Sequence, residues 1–104
     1  MLYEVEISEH AEEQYDDILS YLAYHLMNPQ AVENLIDDFN HAIDELESTP
    51  EGFEFCRSQR LKEMGFRKYH FSKYRYLFVY RINRNRVTIE GMYHELQDYE
   101  NAIG

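Results

Sequence analysis

Tyr74-Arg75-Tyr76-Leu77-Phe78-Val79-Tyr80-Arg81-Ile82 is followed by Asn83-Arg84-Asn85 and then, after Arg86, by Val87-Thr88-Ile89-Glu90-Gly91-Met92-Tyr93-His94. Two runs rich in β-branched and aromatic residues, joined by a short polar loop, predict a hairpin. Side chains alternate across a strand, so Tyr74, Tyr76, Phe78, Tyr80 and Ile82 share one side of the first run and Arg75, Leu77, Val79 and Arg81 the other. Both sides carry apolar residues, which predicts a central strand covered on two faces rather than an edge. The remainder of the chain has to supply those covers.

Upstream of the hairpin, Gly65-Phe66-Arg67-Lys68-Tyr69-His70-Phe71 predicts another strand, with Ser72-Lys73 as a tight turn into Tyr74. At the start of the chain, Leu2 to Ile7 alternates Tyr3, Val5 and Ile7 against Glu4 and Glu6, the period of a half-buried strand. Ser8 then stands where a helix cap belongs, and Glu9, Glu12 and Glu13 suit the positive end of the helix dipole. Ala11, Tyr15, Ile18, Leu22 and Leu26 mark one buried face of a helix ending near Met27. Asn28-Pro29 restarts the chain, because proline at a first helical position loses no hydrogen bond. Val32, Leu35, Ile36, Phe39, Ile43 and Leu46 keep helical spacing up to the breaker Ser48-Thr49-Pro50. The short connection predicts an antiparallel helical hairpin.

Residues 51 to 60 predict an irregular crossing with Phe53 and Phe55 tucked under the sheet, and Glu95 to Ile103 one or two turns of closing helix. The order strand, helix, helix, strand, strand, strand implies an α+β fold: a helical hairpin packed on one face of a mainly antiparallel four-stranded sheet. A length of 104 residues with 44% apolar side chains fits a single domain, residues 1–104, with one core.

Charge is divided along the chain. Residues 1 to 56 hold 15 acids and no Lys or Arg, residues 57 to 86 hold all ten Lys and Arg against Glu63 alone, and residues 87 to 104 hold four acids. The pattern predicts a basic sheet carried on an acidic helical layer, a dipolar molecule whose two surfaces select opposite partners. Neither a secretory signal nor a membrane-spanning run is evident, so a cytoplasmic location is the expectation, with no membrane partner. Cys56 is the single cysteine, which excludes an internal disulfide and a cysteine-rich metal site and predicts a buried or inert thiol rather than a nucleophile. His10, His25 and His41 fall among the helices as surface or boundary side chains. No metal and no cofactor is implied.

The opening strand with Ile7-Ser8-Glu9, the Asn28-Pro29 junction, the helix ending near Pro50, Leu61 with Gly65-Phe66-Arg67, the Tyr76-to-Ile82 strand and the ending His94, Asp98 and Tyr99 together resemble the RelE/ParE superfamily of bacterial toxins. The resemblance spans nearly the whole chain. It implies a small growth-inhibiting toxin of a type II toxin-antitoxin system, an addiction module, held silent by a cognate antitoxin. Superfamily members use two mechanisms. RelE-like toxins cut messenger RNA on the ribosome, with cationic side chains stabilising the charge that develops on the scissile phosphate. In this chain that set would be Arg67, Arg75, Arg81 and His94, the last as general acid or base.

Two departures weaken the nuclease reading. Aligning Tyr76-Leu77-Phe78-Val79-Tyr80 on the RelE-like strand pattern puts Leu77 where an arginine belongs, and Arg75 lies two residues earlier, about 7 Å along a strand. Where members often carry arginines after the terminal histidine, this chain has Glu95-Leu96-Gln97, and a carboxylate repels phosphate. ParE-like toxins lack the catalytic set and act by binding DNA gyrase, which agrees better with this sequence. A catalytically inert partner-binding module is the third reading. In each case an antitoxin tail would fold onto the toxin, and Arg57, Arg60, Lys62, Lys68, Lys73 and Tyr99 are the residues expected to meet it.

Overall fold

A computed structural model describes residues 2–103. Strand β1 (Glu4–Ile7) leads into helix α1 (Glu9–Ser20), a π-helical turn (Tyr21–His25) and helix α2 (Pro29–Ser48). A 3-10 turn (Pro50–Gly52) and the short helix α3 (Gln59–Glu63) precede strands β2 (Arg67–His70), β3 (Tyr76–Asn83) and β4 (Arg86–His94), and α4 (Tyr99–Ala102) closes the chain. The sheet order is β1-β4-β3-β2, with β1 parallel to β4 and the other pairs antiparallel. This is the expected α+β arrangement. Among the described residues, no helix is long and apolar enough to cross a membrane.

The caps lie where the sequence put them. Ser8 Oγ accepts from the Ala11 N–H at 3.0 Å, and Asn28 Oδ1 accepts from the Ala31 N–H at 3.1 Å with Pro29 at the first position of α2. Each satisfies a donor that the first helical turn cannot pair internally.

The first helix departs from expectation in its last turn. The Leu26 N–H donates to Tyr21 O at 3.0 Å, five residues back, and the Asn28 N–H to Leu22 O at 3.0 Å. A π-turn holds more residues than an α-turn, so side chains beyond it slip around the axis. Leu22 stays buried, while Leu26, expected on the same face, is 52% exposed. The reversal is completed by Met27, whose φ of 48° lies in the left-handed region.

Two strand boundaries also move. Strand β3 begins at Tyr76 rather than Tyr74, and β2 is shorter than residues 65–71. Between them the loop is held from the helical layer, since the buried Asp38 of α2 accepts the N–H groups of Lys73 at 2.9 Å and Tyr74 at 3.2 Å. Those two donors are unavailable to a sheet ladder. The crossing at residues 51–60 is less irregular than expected, because it makes an isolated bridge from Phe55 to Arg67 and runs into α3 at Gln59. Phe53 does tuck in, edge-on to Tyr69 at 4.9 Å. Phe55 does not: it is 37% exposed beneath the Arg67 guanidinium, 4.0 Å from its ring centre.

β3 is central and covered on both sides. Its inner face sends Phe78 and Tyr80 into a core with Leu22, Leu35 and Leu46 of the helical hairpin and Ile89 of β4. Phe78 takes Phe39 and Phe71 edge-on at 5.5 and 4.9 Å, and the Tyr80 hydroxyl donates to Pro50 O at 2.6 Å. Its outer face sends Leu77 and Val79 into a smaller cluster with Cys56, Leu61, Phe66 and Tyr93. A bulge pairs Val79 with Gly91 and Tyr80 with Ile89, leaving Glu90 as the extra residue of β4.

Candidate functional site

The outer face is only half filled. Beside its apolar cluster lies an open cleft of about 490 Å³, floored by Leu77 and walled by β2, the turn after β4, the 54–57 crossing and α4. Opposite residues in an antiparallel pair share a face. Lys68, opposite Val79, and His70, opposite Leu77, therefore point to this side.

Lys68 is the buried cation of the site, 4% exposed. Its Nζ lies 3.6 Å from the Glu54 carboxylate and donates to the Tyr99 hydroxyl at 3.4 Å. His70 Nδ1 is 2.9 Å from Glu95 and its Nε2 is 3.8 Å from Glu54. Arg75 reaches the other oxygen of Glu95 through Nε at 3.2 Å. The hydrogen bond from His70, then that from Arg75, holds the Glu95 carboxyl below its ordinary range.

The far wall is fixed by the C-terminal turn. Glu100 accepts the backbone N–H groups of Arg57 at 3.0 Å and Ser58 at 2.6 Å, and the Arg60 guanidinium donates to Ile103 O at 2.7 Å. Tyr99 stacks on Tyr93 with ring centres 5.9 Å apart. Cys56 lies behind this wall, 1% exposed, and burial, with Glu100 adding to it, pushes its thiol up to about 11. An un-ionised thiol is a poor nucleophile.

The four residues expected to form a nuclease set do not converge. Arg75 alone of them lines the cleft. Arg67 is held by the turn after α2, donating to Phe53 O at 2.6 Å and Glu51 O at 3.2 Å. Arg81 lines a separate hollow with Glu90, to which its Nε donates at 2.8 Å, and its guanidinium covers Phe66. His94 lies edge-on to Tyr76 at 5.2 Å and its Nδ1 accepts the Leu96 N–H at 3.1 Å, the placement of a packing and capping residue.

Of the residues expected to meet a partner, Arg57, Lys68 and Tyr99 line the cleft, Arg60 ties down the chain end, and Lys73 reaches Asp37 at 3.7 Å. Lys62 stands on α3 with no carboxylate in ion-pair distance among the described residues.

The expected basic sheet is corrected by these pairings. Lys68, Lys73, Arg75, Arg81 and Arg86 each meet a carboxylate of this chain, Arg86 taking Glu6 at 3.6 Å and Glu4 at 3.7 Å. The cleft itself sets Arg57, Lys68 and Arg75 against Glu54, Glu95, Asp98 and Glu100. Segregation of charge along the sequence is undone where the tertiary fold brings acidic segments back against the basic strands. Glu54 and Glu100 were missed as site residues; the alternation Phe53-Glu54-Phe55 was the available sign that this stretch lies along β2.

No curated protein matches the chain. In fold it is similar to a chain of the chromosomal ParDE toxin-antitoxin system from P. aeruginosa, at a TM-score of 0.70 and 13% identity, covering 88% of this chain and 95% of that one. It is also similar to a chain of the RelBE2 toxin-antitoxin complex from Mycobacterium tuberculosis, at a TM-score of 0.56 and 18% identity, covering 90% of this chain and 99% of that one. The sequence pattern of the ParE toxin of type II toxin-antitoxin systems, parDE, matches residues 5–99, so the chain belongs to the ParE toxin family.

Proposed function

We propose that this ParE toxin arrests growth by binding a protein target, DNA gyrase, rather than by cutting RNA, and that a cognate antitoxin silences it. The observation that carries this reading is the state of the outer cleft. Two of its three cations are already answered, Lys68 by Glu54 and Arg75 by Glu95, and only the Arg57 side chain is left without a carboxylate among the described residues. Charge stabilisation at a phosphate requires donors preorganised and free to meet it. The same cleft is lined by four carboxylates, whose charge opposes an incoming phosphate.

An acidic antitoxin segment finds a better match at the side chains of Arg57 and Lys62, which make no ion pair with a carboxylate of the described residues. The neighbouring reading frame is expected to encode that antitoxin.

Inducing the toxin without its antitoxin tests the target. Filamentation with DNA damage and intact messages is the expected result, together with inhibition of purified gyrase in a supercoiling assay. Messages cut on the ribosome would overturn the reading in favour of a ribonuclease. Undiminished growth would reduce the chain to a binding module.

A further inference from the structure

The tip of the helical hairpin is an apolar surface that nothing in the fold covers. Tyr24 is 81% exposed, Met27 78%, Leu26 52% and Tyr21 50%. Tyr21 stacks on His25 at 5.4 Å and lies close enough to Tyr76 to help burial raise that hydroxyl, which ties the patch to the end of the sheet. Isolated exposed apolar residues are ordinary, but four in seven consecutive positions at one end of the fold are a concentration of the kind that marks an interaction site.

Local geometry holds them outward. An uninterrupted α-helix would carry Leu26 round to the face of Leu22; the π-turn prevents this, and Met27 makes the reversal in a left-handed conformation disfavoured for a side chain of its kind. Both features are costly to a helix end and leave the apolar side chains in water, so local stability is not what they serve.

Charge identifies what fits there. The flanking turns of α1 and α2 carry Asp16, Asp17, Glu33 and Asp37, and no Lys or Arg precedes Arg57. From the packed neighbours, Lys73 reaches this region and is engaged with Asp37 at 3.7 Å. Nucleic acid and anionic membrane surfaces are repelled by such a rim, and a second copy would bring an identical acidic tip.

We propose that the hairpin tip, Tyr21, Tyr24, Leu26 and Met27, is a docking surface for a partner-protein segment that presents apolar side chains flanked by Lys and Arg. Aromatic and Met side chains supply the anchoring area, and the acidic rim selects and steers the cationic flanks. The surface is separate from the outer cleft, so the inference stands whether or not gyrase is the target.

The test uses the full chain, isotopically labelled, and two synthetic amphipathic helical peptides of identical apolar spacing, one of Leu and Lys and one of Leu and Glu. The Leu/Lys peptide is expected to shift the backbone amide signals of residues 21–28, and the double variant Tyr24→Ser, Met27→Ser to bind it about tenfold more weakly with its charge unchanged. Because both side chains are exposed, the double variant should keep the wild-type circular dichroism spectrum. A second variant, Asp16→Asn with Asp17→Asn, should weaken binding and flatten its salt dependence. Shifts centred elsewhere, equal affinity of the Ser variant, or equal binding of the Leu/Glu peptide would each overturn the assignment.

Discussion

On the inner face of the sheet, Phe78 and Tyr80 vanish under α1 and α2; on the outer face of the same strand, Leu77 lies at the floor of a polar cleft bordered by Lys68, Arg75 and Glu95. The two sides differ in what covers them. Long helices laid across the inner face present several turns of apolar side chains to it. The outer face is covered by the crossing, by α3 and by α4, of which the helices span only five and four residues, and pieces that short close one end of it. Stability is therefore concentrated on one side, and chemistry is accessible on the other.

The sharpest way to break this contrast is to empty the inner core. Phe78→Ala removes a fully buried ring in contact with Phe39 and Phe71, and should cost about 3–5 kcal/mol in denaturant-induced unfolding. A loss below ~1 kcal/mol would mean that the helical layer is not the chief source of stability.

On the outer face, the informative change adds an atom. A Cβ built on Gly91 falls 2.5 Å from the Tyr93 ring, which must then move off its stack with Tyr99. Gly91→Ala should cost about 1–3 kcal/mol. Its distinguishing mark would be faster amide exchange in α4 ahead of the inner strands. Uniform loss of protection would show that the two faces unfold as one unit.

Cys56 probes how tightly the outer cluster is closed without any mutation. With its thiol at about 11 against an ordinary 9, alkylation at pH 8 should be ~100-fold slower than for a free thiol and recover on unfolding. Rapid labelling of the native chain would show that the wall formed by Tyr99 and Glu100 opens readily.

The smallest expected effect is at the cleft's charges. Glu95 titrates below its ordinary 4.5 because His70 and then Arg75 hold the carboxylate. Since the folded value is the lower one, the interaction contributes stability above pH ~4.5 and is lost as pH falls through the folded value. His70→Gln should raise the Glu95 midpoint in an NMR titration. An unchanged midpoint would indicate that Arg75 alone sets it.

How much of this could be read from the residues depends on how local each determinant is. Ser8 and Asn28 cap their helices because a cap needs only the next three residues, and the alternation through Tyr76 to Ile82 fixes both faces of β3 because pleating is a property of the strand itself. Leu26 was misplaced because a helical period assumes α-geometry throughout, and the π-turn breaks the phase. Tyr74 continues the strand alternation in sequence but lies outside β3, because Asp38, 36 residues away, captures its N–H.

By itself, then, the sequence determined the α+β order, the helix starts, the two-sided central strand, the buried thiol and the family. Those follow from short-range periodicity, capping and a sustained pattern across residues 5–99. The tertiary structure alone decided which cations are free. Coulomb attraction acts through space, and Arg75 with Glu95 or Arg81 with Glu90 meet only when the strands are paired and the chain end has turned back over them.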